Sequence, residues 1–311
     1  MKKLIIITII LVSLGFLVGL GVINYKQQVA QDSLFMAQVG TEIPDDLVYN
    51  LEVKTDQLPT QAKFYKSATP IINDKQVRDL AAKFGVDGTV RIEGKRMIVE
   101  DKRNKNIIFQ IDQETGYYSY LNFNKLGNLD IEKSIPEDDV AITKAKEYLK
   151  QRELLPDRFD LIKVTNRTTG AEFKGTKRVL SKEVWFHPTI EGKVVSGIAR
   201  IIVSVGDKGE IEAVRKYHRE IKAAKEVALK SFEQAFGELK AGKASITCPK
   251  GANKIDITKV ELRYWEDPDE VKVIPVYLFT GETVIEGKVE IFTAFLPASK
   301  GGEMKFDPKN I

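Results

Sequence analysis

Ile201-Ile202-Val203-Ser204-Val205-Gly206-Asp207-Lys208-Gly209-Glu210-Ile211 holds an apolar run, a glycine-bounded turn and the opening of a second run. Runs of this kind read as antiparallel strands, Gly197 to Val205 and Glu210 to His218, because glycine supplies the backbone conformations a short connection needs. Strands at Asp160 to Thr165 and Lys182 to Thr189 precede them, with another turn at Ile190-Glu191-Gly192-Lys193. Before those, Ala141, Ala145, Tyr148 and Leu149 recur at helical spacing. Ser134-Ile135-Pro136-Glu137 in front of that helix reads as a capping box, in which serine and glutamate each satisfy an orphan N–H at the helix start. The unit is a helix followed by a meander of strands.

The same unit is expected on both sides. Upstream, Leu47, Tyr49, Leu51 and Val53 alternate as a strand, and Val77, Leu80, Ala81 and Phe84 form a helical stripe opened by Asn73 or Asp74 and stopped by Gly85. Strands follow at Thr89 to Ile92, Met97 to Glu100, Ile107 to Ile111 and Tyr117 to Phe123, the last two joined by Asp112-Gln113-Glu114-Thr115-Gly116. Downstream, Ser231-Phe232-Glu233-Gln234 starts a helix that buries Phe232, Ala235, Phe236 and Leu239 and ends at Gly242. Val260, Leu262 and Tyr264, then Val273, Tyr277 and Phe279, alternate as strands, and Lys288 to Leu296 closes the series. Three units in series predict an α+β fold of tandem small modules, each a helix packed on an antiparallel meander sheet.

The N-terminus decides placement. Met1-Lys2-Lys3 precedes an apolar run from Leu4 to Ile23 whose only polar members are Thr8 and Ser13. As a helix that run spans ~30 Å, the thickness of the hydrocarbon core. No small-x-small cleavage site follows it, and no cysteine stands where a lipid would attach, since Cys248 is the only one in the chain. A retained N-terminal transmembrane helix is therefore expected. Lys2, Lys3 and the free amine before the run, against Lys26 alone close behind it and then Asp32, Glu42, Asp45 and Asp46, put the N-terminus in the cytoplasm and the folded mass outside a cell membrane. The expected organisation is a cytoplasmic tip and anchor over 1–26, a stalk over 27–40, modules over 41–130, 131–221 and 222–300, and a frayed tail over 301–311.

Among 311 residues the 43% hydrophobic and 30% charged content is that of a folded chain. The formal charge of +4 is spread among interspersed acids and bases, so no concentrated footprint for nucleic acid exists. One cysteine allows no internal disulfide.

The second and third units resemble PepSY-like modules of membrane-anchored bacterial envelope proteins, similar to the YycI and YycH type that regulate a sensor histidine kinase from outside the membrane. The residues carrying this are Ala141 to Leu149, Val184-Trp185-Phe186-His187-Pro188, Gly192-Lys193-Val194-Val195, and the quoted Ile201 to Ile211 stretch. In the third unit they are Pro275-Val276-Tyr277-Leu278-Phe279-Thr280-Gly281-Glu282 and Thr293-Ala294-Phe295-Leu296-Pro297-Ala298. The Asp-x-x-Thr-Gly turn common in such modules stands instead at Asp112 to Gly116, in the first unit. The resemblance implies a binding or regulatory protein, without catalysis, that modulates a membrane or envelope partner such as a sensor kinase or peptidase.

Residues bearing chemistry are few. His187 and His218 sit in strand patterns and read as packed sheet residues rather than a two-histidine metal pair, because no carboxylate stands at ligand spacing. Glu266-Asp267-Pro268-Asp269-Glu270 lacks the spaced ligands and glycine of a calcium loop and reads as a solvated turn. Glu137, Asp138 and Asp139 fit the first turn of a helix, where negative charge meets the helix dipole. Asn166-Arg167-Thr168 matches a glycosylation acceptor, a motif short enough to recur by chance, and Trp185, Trp265 and Cys248 read as core. No catalytic, cofactor or metal residue is assigned. An envelope hydrolase acting on wall material is the alternative, and it requires carboxylates converging on a cleft.

Overall fold

The computed structural model describes residues 47–53, 58–68, 70–126, 133–169, 178–267 and 271–300. The Leu4 to Ile23 run, the stalk and the 301–311 tail lie outside them. Among the described residues no helix is long and apolar enough to cross a membrane.

The chain runs β1 (Val48–Leu51), β2 (Gln61–Ser67), α1 (Asp74–Lys83), β3 (Val90–Glu93), β4 (Arg96–Glu100), β5 (Ile107–Asp112), β6 (Tyr118–Asn122), α2 (Phe123–Leu126) and α3 (Asp138–Gln151). It continues with β7 (Phe159–Thr168), β8 (Val179–Ile190), β9 (Lys193–Gly197), β10 (Arg200–Val205), β11 (Ile211–Tyr217), β12 (Ile221–Ala228) and α4 (Phe232–Lys240). The last elements are β13 (Ser245–Thr247), β14 (Lys254–Glu266), β15 (Lys272–Ile285) and β16 (Lys288–Pro297).

These strands form one large mixed sheet, which overturns the expected series of separate helix-on-meander modules. Its order is β12-β2-β15-β14-β9-β8-β10-β11-β6-β5-β4-β3, with β1 added to β14, β7 to β8, and β16 with β13 to β15. Strands of the first and second expected units are directly paired, β6 with β11 through Val214↔Tyr120 and its neighbours. Helices α1 and α3 do not cap separate sheets. Val77, Ala81 and Phe84 share one core with Ala141, Ala145 and Leu149, over Val99, Phe109, Phe186, Ile201 and Val203. The opening strand β1 joins the far end of the chain, parallel to β14 with Tyr49↔Ile255 in register. β14 is also parallel to β9 through Tyr264↔Val195, so the sheet is mixed where antiparallel pairing was expected. Alternation fixes which face of a strand is buried and leaves its neighbour unspecified.

Local signals fare better. Asn73 accepts from Gln76 N while Gln76 reaches back to Asn73 N, a full capping box on α1, and Ser231 with Gln234 does the same on α4. At α3 the expected Ser134 and Glu137 box does not form. Glu137 is the cap residue but its side chain makes no cap bond, and Ser134 is engaged by the turn after β10: its N–H donates to Asp207 Oδ1 at 2.7 Å and its carbonyl accepts from Lys208 N at 2.8 Å. The expected Gly197 to Val205 strand is split. Its beginning belongs to β9, which turns back on β8 at Glu191-Gly192 and then runs beside β14.

Candidate functional site

Among the described residues two features stand out: a buried carboxylate where β14 meets β9, and the exposed end of the β15–β16 hairpin.

On β14, Leu262, Tyr264 and Glu266 lie at alternate positions and are all buried, as is Trp265, and Glu266 has no exposed surface. The structure thus corrects the reading of Glu266 as part of a solvated turn; positions 268–270 lie outside the described residues. Its carboxylate meets groups from two other parts of the sheet. His218 Nδ1 lies 2.7 Å from Oε2, and Arg219 N donates to Oε1 at 3.2 Å. The Tyr117 hydroxyl donates to Oε1 at 3.4 Å. Ile198 N donates to the Glu266 carbonyl at 3.0 Å. The Asp112 to Gly116 turn aims Tyr117, because Asp112 Oδ1 accepts from Glu114 N, Thr115 N and Thr115 Oγ1. Close approach needs a glycine opposite: a Cβ on Gly197 would lie 2.3 Å from the Glu266 carbonyl oxygen, and its φ of +81° disfavours side chains besides.

A histidine held by a carboxylate is half of a hydrolytic constellation, but its surroundings here fasten rather than react. Phe159 packs edge-on against the imidazole at 5.4 Å and the Arg219 guanidinium lies over the Tyr117 ring at 5.1 Å. Burial, and secondarily the Glu266 charge, push the Tyr117 hydroxyl well above its usual range, which makes it a poor proton donor. Glu266 joins β14 to both β6 and β11 territory by hydrogen bonds that a buried carboxylate requires.

The two histidines are engaged separately. His187 stands opposite Asp160 in the β7–β8 pair with Nδ1 3.1 Å from the Val195 carbonyl. Burial drives its pKa down to about 4, against the opposing effect of that carbonyl, with Arg200, Lys163 and Arg263 adding to the fall. Among the described residues no cluster of histidine, cysteine and carboxylate groups is placed to hold a metal ion. Cys248 is a buried free thiol, and burial pushes it up. Asp138, in the first turn of α3, pairs with Lys182 at 2.7 Å. A second buried charge, missed in sequence, is Glu212, held by Lys133 at 2.5 Å and Arg167 at 3.1 Å. Gly206 makes room for it.

The β15–β16 hairpin turns at Glu286 and Gly287, whose φ values of 51° and 77° fit a two-residue turn of the primed type. One face of it packs Phe279, Phe292 and Ala294 under α4. On the other face Val284 is paired with Val289, and Ile291 with Glu282. Val284, Val289 and Ile291 are 68%, 60% and 53% exposed. β13 covers the outer edge of β16 only from Thr293 to Phe295, so among the described residues no strand lies beside Lys288 to Phe292.

No protein-family model matches the chain, and no curated protein matches it. Among solved structures it is similar to the Bacillus megaterium YpeB C-terminal domain, at 14% identity and a TM-score of 0.41, over 74% of this chain and 94% of that one. A likeness that loose carries no argument about fold or function.

Proposed function

We propose that this chain is a binding or regulatory protein that acts by contact with a membrane or envelope partner from the outer side of a membrane. The observation that carries the reading is the apolar end of the β15–β16 hairpin, where three branched aliphatic side chains lie side by side and exposed beside a strand edge that no described strand covers. Grouped exposure of that kind marks interaction surfaces, and an uncovered edge offers backbone groups for pairing. The Leu4 to Ile23 run supports the membrane placement, and the resemblance to PepSY-like regulators makes a sensor kinase or peptidase the favoured class of partner. A hydrolase is disfavoured because the buried carboxylate best placed for chemistry, Glu266, is sealed among Tyr117, His218 and Arg219.

Tethering concentrates such a protein in a thin layer over the bilayer, so weak contact suffices. The test is complementation of a deletion strain. A chain beginning near Thr41 should fold yet fail to restore function at ordinary expression, and the same chain on an unrelated single-pass anchor should restore it. Full restoration by the untethered form would favour a diffusible enzyme or scavenger.

A further inference from the structure

We infer that the outer edge of β16 pairs with the same edge of a second copy of this chain, antiparallel about a two-fold axis through Val289. The inference rests on the hairpin being a contact surface, and it names the occupant of its edge.

The backbone sets which residues are available. With Ile285 paired to Lys288 across the two-residue turn, narrow hydrogen-bonded pairs alternate with wide ones along the hairpin. The N–H and C=O groups of Val289 and Ile291 therefore point away from β15, toward the side on which no described strand lies. A two-fold partner then has two registers that satisfy these groups without displacing β13 from Thr293.

Charge decides between them. Centred on Glu290, the register sets two Glu290 carboxylates directly opposite each other, a destabilising arrangement. Centred on Val289, it sets Lys288 opposite Glu290 twice over, with Val289 hydrogen-bonded to its symmetry mate. Among the described residues neither Lys288 nor Glu290 takes part in an ion pair, so both charges are available. Val284 and Val289 of the two copies then form a continuous four-valine row across four strands.

The β3 edge is the obvious competitor, since Ile92 is 61% exposed there. Its cation is already committed: Arg91 is paired with both Glu93 and Glu100 inside the chain. Pairing along so short an edge falls below the ~1,200 Å² of a stable interface, so the dimer is weak and forms where the chain is concentrated.

Disulfide trapping of the full chain in its membrane tests this, in a Cys248→Ala background. A hydrogen-bonded antiparallel pair holds its Cα atoms ~5.5 Å apart, within disulfide reach. Val289→Cys should give a covalent dimer under mild oxidant, while Ile92→Cys and Val284→Cys should not. Lys288→Glu added to Val289→Cys should lower the dimer yield roughly tenfold, and Glu290→Lys added to both should restore it. A monomeric Val289→Cys chain of unchanged melting temperature, equal trapping at Ile92→Cys, a heterologous adduct in place of the dimer, or no rescue by the charge swap overturns the inference. If the dimer is absent while Val284→Asp with Ile291→Asp still abolishes function, the contact reading stands and only the occupant is wrong.

Discussion

His218 Nδ1 sits 2.7 Å from Oε2 of Glu266, a side chain with no exposed surface, and so ties the end of β11 to the end of β14. Removing one side of a buried hydrogen-bonded pair leaves the other group without its partner. Glu266→Ala should therefore cost ~1–3 kcal/mol in urea unfolding, His218→Ala about as much, and the double variant less than their sum. Tyr117→Phe removes only a long hydrogen bond at 3.4 Å and should cost under ~1 kcal/mol. Additive losses would show that the pair is not coupled.

Gly206 and Gly192 should respond oppositely to what their backbones suggest. Gly192 has a φ of +72° with open space around its would-be Cβ, so Gly192→Ala costs only the left-handed strain, ~1 kcal/mol. Gly206 has an ordinary φ of −102°, yet a Cβ there would lie 2.0 Å from Glu212 Oε1. Moving that carboxylate disturbs its contacts with Lys133 and Arg167, and Gly206→Ala should cost ~2–4 kcal/mol by thermal unfolding. Equal losses at the two sites would remove the role assigned to Glu212.

His187 should make the protein acid-sensitive. Its folded pKa of about 4 lies below the ordinary histidine value of 6.5, so the unfolded chain binds the extra proton between those pH values. Stability from keeping this ring neutral is fully present above pH 6.5 and is lost as pH falls toward 4. The loss is ~1–3 kcal/mol, because the ring is only partly shielded from solvent. His187→Gln should flatten that limb of the stability profile. An unchanged slope from pH 6.5 to 4 would mean that other groups produce it.

Helix caps and hairpin turns are legible where they depend on neighbours in sequence: Asn73, one of the two expected openings of α1, Ser231 with Gln234, and Asp112 with Gly116. The box at Ser134 failed because Asp207, far along the chain, competes for the same serine backbone. Strand partners were not legible, since alternation in β1 or β6 says which side is buried and nothing about β14 or β11. The Glu266 cluster carried one usable signal. Glu266 continues the Leu262 and Tyr264 alternation by one step, and that places it on the inner face despite the acidic residues after it.

The apolar run from Leu4 to Ile23 leads to a biochemical expectation. The protein should stay with membranes after a carbonate wash, and protease added outside should digest its C-terminal mass. Recovery of a soluble form beginning near Ala30 would contradict retention of the anchor.

Contact without catalysis is tested most directly by comparing two variants in the same deletion strain. One carries Val284→Asp and Ile291→Asp on the exposed hairpin face; the other carries His187→Gln, His218→Asn and Cys248→Ala, which removes both imidazoles and the thiol. With folding of each checked by its melting temperature, the first should lose function while keeping its fold, and the second should retain function wherever it remains folded. Full function of the hairpin variant, together with complete loss in a folded imidazole and thiol variant, would contradict the account and make this protein an enzyme.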